Sequence, residues 1–83
     1  MKHAGAALDQ IESLLADLRT LPLKEKSRGV FYFKSRSFLH FHEDPNGLFA
    51  DVRDATGRDF DRIKVDEPGG AEALLAAARA RIG

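Results

Sequence analysis

The sequence predicts an α+β domain in which two helices pack on one face of a four-stranded antiparallel meander, in the order α-β-β-β-β-α. Three observations carry this. The two ends of the chain are apolar at helical spacing. The middle is aromatic and β-branched, with apolar and polar residues alternating. The joints between the middle segments are too short for anything but hairpins. The 83 residues are expected to form one domain, 1–83, without repeats or low-complexity segments. A chain this short buries only roughly 60–65 % of its unfolded surface, so a partner subunit would strengthen it.

Residues 6 to 20 read as an amphipathic helix. Leu8, Ile11, Leu15 and Leu18 fall on one stripe, widened by Leu14 and Leu21, with Asp9, Glu12, Asp17 and Arg19 mostly opposite. Pro22 cannot continue a helix and disfavours helical dihedrals at Leu21, so the helix should end near Thr20. Leu23 to Gly29 reads as a basic connection. The expected strands are Val30 to Lys34, Ser37 to His42, Leu48 to Arg53 and Phe60 to Val65. Asp44-Pro45-Asn46-Gly47 is a strong turn, because Pro presets φ and Asn-Gly tolerates positive φ; Asp54-Ala55-Thr56-Gly57 is a second. Pro68-Gly69-Gly70 breaks the chain before a second helix, Ala71 to Ile82. That helix carries Leu74, Leu75, Ala78 and Ile82 on its stripe and Arg79 and Arg81 in the last turn, where cations suit the dipole.

The turns set the register. Pairing Glu43 with Leu48 places Phe41 opposite Ala50 and Leu39 opposite Val52; pairing Asp54 with Asp59 places Ala50 opposite Ile63 and Leu48 opposite Val65. One face is then apolar and suited to the helices. The other carries Phe38, His40, His42, Phe49, Asp51, Arg53, Phe60, Arg62 and Lys64. The first strand has two readings. A three-residue loop points Phe31 and Phe33 to the core and Tyr32 outward, and a two-residue loop reverses them. The three-residue loop is favoured, because Ser-Arg is poor chemistry for a two-residue hairpin.

Composition narrows the function classes. The hydrophobic fraction of 43 % and charged fraction of 31 % are those of a globular chain. There is no cysteine, which removes disulfide scaffolds, thiolate zinc sites and thiol nucleophiles and suits a reducing, cytoplasmic setting. The first residues carry no apolar leader, so secretion is not expected, and no run approaches the ~18 apolar residues that would span a bilayer. Net charge is zero but uneven. From Lys24 to Arg36 five cations oppose Glu25, a net of +4, while from Glu43 to Glu67 eight acids oppose four bases, a net of −4. Such a dipolar chain can attract copies of itself.

No cofactor motif is present: Gly69-Gly70 lacks the Lys and Ser/Thr of a phosphate loop. No nucleophile elbow exists, no Ser joins His40 and Asp51 on their face, and Asp51 and Asp61 have opposite parity, so an enzyme is not expected. The favoured reading is a non-enzymatic interaction module, homodimeric through the second sheet face, with Tyr32, Phe38, His40, His42, Phe49, Asp51, Arg53, Phe60 and Arg62 as contact residues. A second reading is nucleic-acid binding, with aromatic rings stacking bases and Lys24, Lys26, Arg28, Lys34, Arg36, Arg53 and Lys64 holding phosphates. A third is a divalent metal site. His40 and His42 have the H-x-H spacing of a strand face, Asp51 is a third ligand across the strand, and Glu43 or Asp44 reaches in from the turn.

Lys34 to Asp44 (KSRSFLHFHED), followed by Gly47 to Arg53 (GLFADVR), resembles a group of short uncharacterised bacterial proteins, a likeness that implies no activity. The helix–meander–helix order also resembles the MmcQ/YjbR-like and frataxin-like architectures, in the stretch from Phe33 to Val52. The former implies DNA binding and the latter iron. The chain departs from them after Asp54, where it lacks an aromatic-rich second half, and Asp9, Glu12 and Asp17 are too few for the acidic ridge of frataxins.

Overall fold

The structure is a computed structural model and describes residues 5 to 82. The N-terminal arm comprises α1 (Gly5–Leu8), a 3₁₀ turn (Asp9–Ile11) and α2 (Glu12–Leu18). Five strands follow: β1 (Lys24–Ser27), β2 (Val30–Phe33), β3 (Arg36–Asp44), β4 (Gly47–Arg53) and β5 (Phe60–Lys64). The chain closes with α3 (Gly70–Ile82). The strands form one antiparallel sheet in sequence order. The helices and the sheet enclose one core, so the α+β class and the meander are as expected.

The expected first helix is broken at Ile11, whose φ of −121° and ψ of 31° are not helical. Its stripe survives, and Leu8, Ile11, Leu14, Leu15 and Leu18 are all buried. Past Leu18 the arm unwinds through one-turn bonds from Arg19, Thr20 and Leu21 to the carbonyls of Leu15, Asp17 and Leu18, stopping before Pro22. The other side of the core is Phe31, Leu39, Phe41, Leu48, Ala50, Val52 and Val65 from the sheet, with Leu74 and Ala78 from α3. Helix α3 sits close above β5. A Cβ on Gly70 would lie 2.1 Å from the Lys64 carbonyl oxygen, so only glycine permits this approach.

Three details differ from the sequence reading. The basic connection after Leu23 is a strand, so the sheet has five strands rather than four. Residues Lys-Glu-Lys-Ser carry no apolar alternation, but their backbone pairs with β2 (Lys24 with Tyr32, Glu25 with Phe31) along an edge. The charged side chains of that edge discourage further strand pairing. Second, the β2–β3 loop has two residues, not three. Phe33 pairs with Arg36, and Lys34 and Ser35 take φ of 51° and 69°, positive at both positions as a tight hairpin with the sheet's twist requires. Third, this hairpin does not reverse the first strand, because a bulge corrects it. Phe31 pairs with Leu39 and Tyr32 with Ser37, leaving Phe38 as an extra residue. Phe31 therefore faces the core and is 1 % exposed.

The bulge also moves Phe38. Strict alternation puts it with His40 and His42 on the uncovered face. In the structure it is buried in the core cluster, edge-on to Phe33 with ring centroids 5.8 Å apart. Beyond the bulge the register is the one expected. Leu39 pairs with Val52, His40 with Asp51, Phe41 with Ala50, His42 with Phe49 and Glu43 with Leu48. Ala50 pairs with Ile63, Asp51 with Arg62 and Arg53 with Phe60.

Candidate functional site: the open face of the sheet

Both turns that frame the central strands are held by their own aspartates. Asp44 Oδ1 accepts the Asn46 amide at 2.7 Å, and Asp54 Oδ1 accepts the Thr56 amide and hydroxyl and the Gly57 amide. These local bonds fix the alternation of β3, β4 and β5. The result is a helix-free face with His40 and His42 on β3, Phe49, Asp51 and Arg53 on β4, and Phe60, Arg62 and Lys64 on β5.

Asp51 is the hub of this face. Its carboxylate takes Arg62 as a two-point partner, with Nε 3.0 Å from Oδ1 and Nη2 3.3 Å from Oδ2. The Nε2 atoms of His40 and His42 each lie 3.4 Å from the same Oδ2. Burial, the largest single influence, pushes the Asp51 carboxyl up. The Arg62 hydrogen bond and charge, with smaller contributions from His42 and His40, outweigh it, and the group titrates below the usual aspartate value. His42 is buried although no helix lies above it, and its Nε2 has no hydrogen-bond partner. Its ring stacks on Phe49, 6.0 Å between centroids and 28° between planes.

Around this hub the aromatic rings are capped by cations. Arg53 Cζ lies 4.4 Å above the Phe60 ring, and His40 meets the same ring edge-on at 5.5 Å. Arg62 and Lys64 flank Phe49 at 5.9 and 5.8 Å, and Lys26 lies 5.2 Å from the Tyr32 ring. Phe60 is exposed at 36 %; Tyr32 and Phe49 are half-buried. Of the contact residues read from the sequence, eight lie together on this face and Phe38 does not, for the reason given above.

The residues expected to hold phosphates divide. Lys24, Lys26 and Lys34 gather around Tyr32, and Lys34, Arg36 and Arg53 gather beside the Asp54–Gly57 turn. Arg28 instead reaches the helical arm, 2.7 Å from Asp9 and 2.9 Å from Glu12. Lys64 pairs with Asp66 at 2.6 Å at the opposite end of the sheet. The metal reading fares less well. Glu43 pairs with Leu48 and so lies on the helix-covered face, and Asp51 is occupied by Arg62. Among the described residues no group of three or more His, Asp or Glu side chains is placed to hold a metal ion. The structure also gathers Phe33 and Arg81 with the basic residues beside that turn, which sequence reasoning missed. The only available signal for Arg81 was its place in the last turn of α3.

No family model matches the sequence, and neither a curated protein nor a solved structure matches it significantly. Among the described residues no helix is long and apolar enough to cross a membrane.

Proposed function

We propose that the chain is a small cytoplasmic interaction module that works by binding, with the open face of its sheet as the contact surface and a second copy of itself as the partner. The observation that carries this is the uncovered aromatic face. Phe60 is the one large apolar side chain exposed among the described residues, and it lies on that face, which also carries half-buried Tyr32 and Phe49. The buried His42 ring, stacked on Phe49 and 3.4 Å from Asp51, belongs to the same face.

Charge favours a second copy over an unrelated partner. The Lys24, Lys34 and Arg53 end of the sheet is basic, and at the other end Asp44, Asp66 and Glu67 outnumber Lys64. A two-fold axis across the strands sets the basic end of one protomer against the acidic end of the other. The test is solution mass by light scattering for wild type and Phe60→Glu. The variant changes an exposed side chain and leaves the core intact. The expected result is a wild-type dimer that loosens with salt and that Phe60→Glu splits. A wild-type monomer at millimolar concentration, or a dimer indifferent to Phe60→Glu, would overturn the proposal.

A further inference from the structure

At the basic end of the sheet, a groove of about 260 Å³ lies between the β2–β3 hairpin, the Asp54–Gly57 turn and the end of α3. We infer that this groove is a binding site for a small phosphate monoester carrying a flat or apolar group. It shares Arg53 with the open face but does not rest on the self-association reading.

The cations in this groove are positioned without being neutralised. Arg53 Nε donates to the Ser37 carbonyl at 2.8 Å and its Nη1 to the Gly57 carbonyl at 3.4 Å; Arg36 Nη2 donates to the same Gly57 carbonyl at 3.0 Å. A carbonyl orients a guanidinium but leaves its charge unmatched, and each fork retains donors for a ligand. Among the described residues neither Arg36 nor Arg53 has a carboxylate partner. Arg81 donates to the Arg53 carbonyl at 3.0 Å and pairs with Asp61 at 3.2 Å, closing the helical side. Lys34 also lines the groove, with its Nζ 5.3 Å from the Phe33 ring.

The one acid in the lining, Asp54, offsets only one of the charges of Lys34, Arg36 and Arg53 and forms an ion pair with none of them. Its Oδ1 is committed to Thr56 and Gly57, and the Thr56 side-chain bond, the largest influence, holds the group below the usual aspartate value. The same bonds shape the turn that presents the Gly57 carbonyl to both arginines. Several unmatched cations in one small groove favour a dianion over a monocarboxylate. The floor is aromatic, with Phe33 set edge-on to Phe38, so the ester's other half should be flat or apolar. The volume falls below the ~300–1,000 Å³ of sites for drug-sized ligands, which limits the ligand to a small molecule.

The test is amide chemical-shift titration of the whole protein with phenyl phosphate, inorganic phosphate and benzoate. Phenyl phosphate should saturate, shifting Ser37, Phe38 and Gly57, at least about tenfold more tightly than either comparator. Arg36→Gln, an exposed position that leaves the fold intact, should weaken it about fivefold or more, and Arg36→Lys less, since one point charge replaces a fork. Shifts that never saturate, shifts scattered over the surface, equal affinity for inorganic phosphate, or indifference to Arg36→Gln would each overturn the inference. A short oligonucleotide without a terminal phosphate that bound as tightly as its 5′-phosphorylated form would also overturn it, because a diester backbone would then be the ligand.

Discussion

Replacing Asp51 by Asn keeps the shape of the hub and removes its charge. The wild-type carboxylate accepts two bonds from Arg62 and lies 3.4 Å from each histidine Nε2. Charge-assisted hydrogen bonds contribute about 1.5–3 kcal/mol. The Arg62 side chain is 55 % exposed while that of Asp51 is 15 % exposed, so water screens part of the attraction and the expected loss at pH 7 is about 1–2 kcal/mol. In a domain of this size that lowers the melting temperature by roughly 5–10 °C. The effect has a pH signature. The Asp51 carboxyl titrates lower in the folded than in the unfolded chain. Its contribution is therefore complete above the unfolded value of about 3.9 and is lost as the pH falls through the depressed folded value. Urea or thermal unfolding of wild type and Asp51→Asn should show a gap at pH 7 that narrows in acid as the carboxyl protonates, since the protonated acid resembles the amide. No gap at pH 7, or a gap unchanged in acid, would refute the placement of Asp51 at the charge centre of the face.

Other expectations follow from the fold. Phe31→Ala removes a ring that is 1 % exposed and should cost about 3–5 kcal/mol, leaving little or no folded protein by circular dichroism; a cooperative melt near that of wild type would contradict its central position. Ser35→Gly relieves a non-glycine residue at φ 69° and should raise stability by about 0.5–1 kcal/mol in denaturant titration. Gly70→Ala drives a methyl against the Lys64 carbonyl and should destabilise by about 1–3 kcal/mol, with amide-exchange protection lost first where α3 meets β5.

The registers of β3, β4 and β5 were legible in the sequence because each turn is written in local chemistry. Asp44-Pro45-Asn46-Gly47 and Asp54 to Asp59 close on their own side chains, and a period of two carries that setting along the strands. The apolar stripes of the helices were legible for the same reason, since burial selects side chains at the period of the element. The pairing of His40 with Asp51 and of Asp51 with Arg62 followed from these registers alone.

Tertiary structure decided the rest. Lys24 to Ser27 has no strand pattern of its own, and its pairing comes from the free edge of β2. Phe38 turns inward because a two-residue hairpin and a core-facing Phe31 are compatible only if one extra residue is inserted, and alternation cannot announce a bulge. Arg36, Arg53 and Arg81 are far apart in the chain and meet only when the hairpin, the turn and the helix end close on one another. Local rules govern what a segment is and which way it faces. The burial of His42 beneath no helix and the gathering of unmatched cations in one groove depend on which segments become neighbours, and that is settled by packing the whole chain.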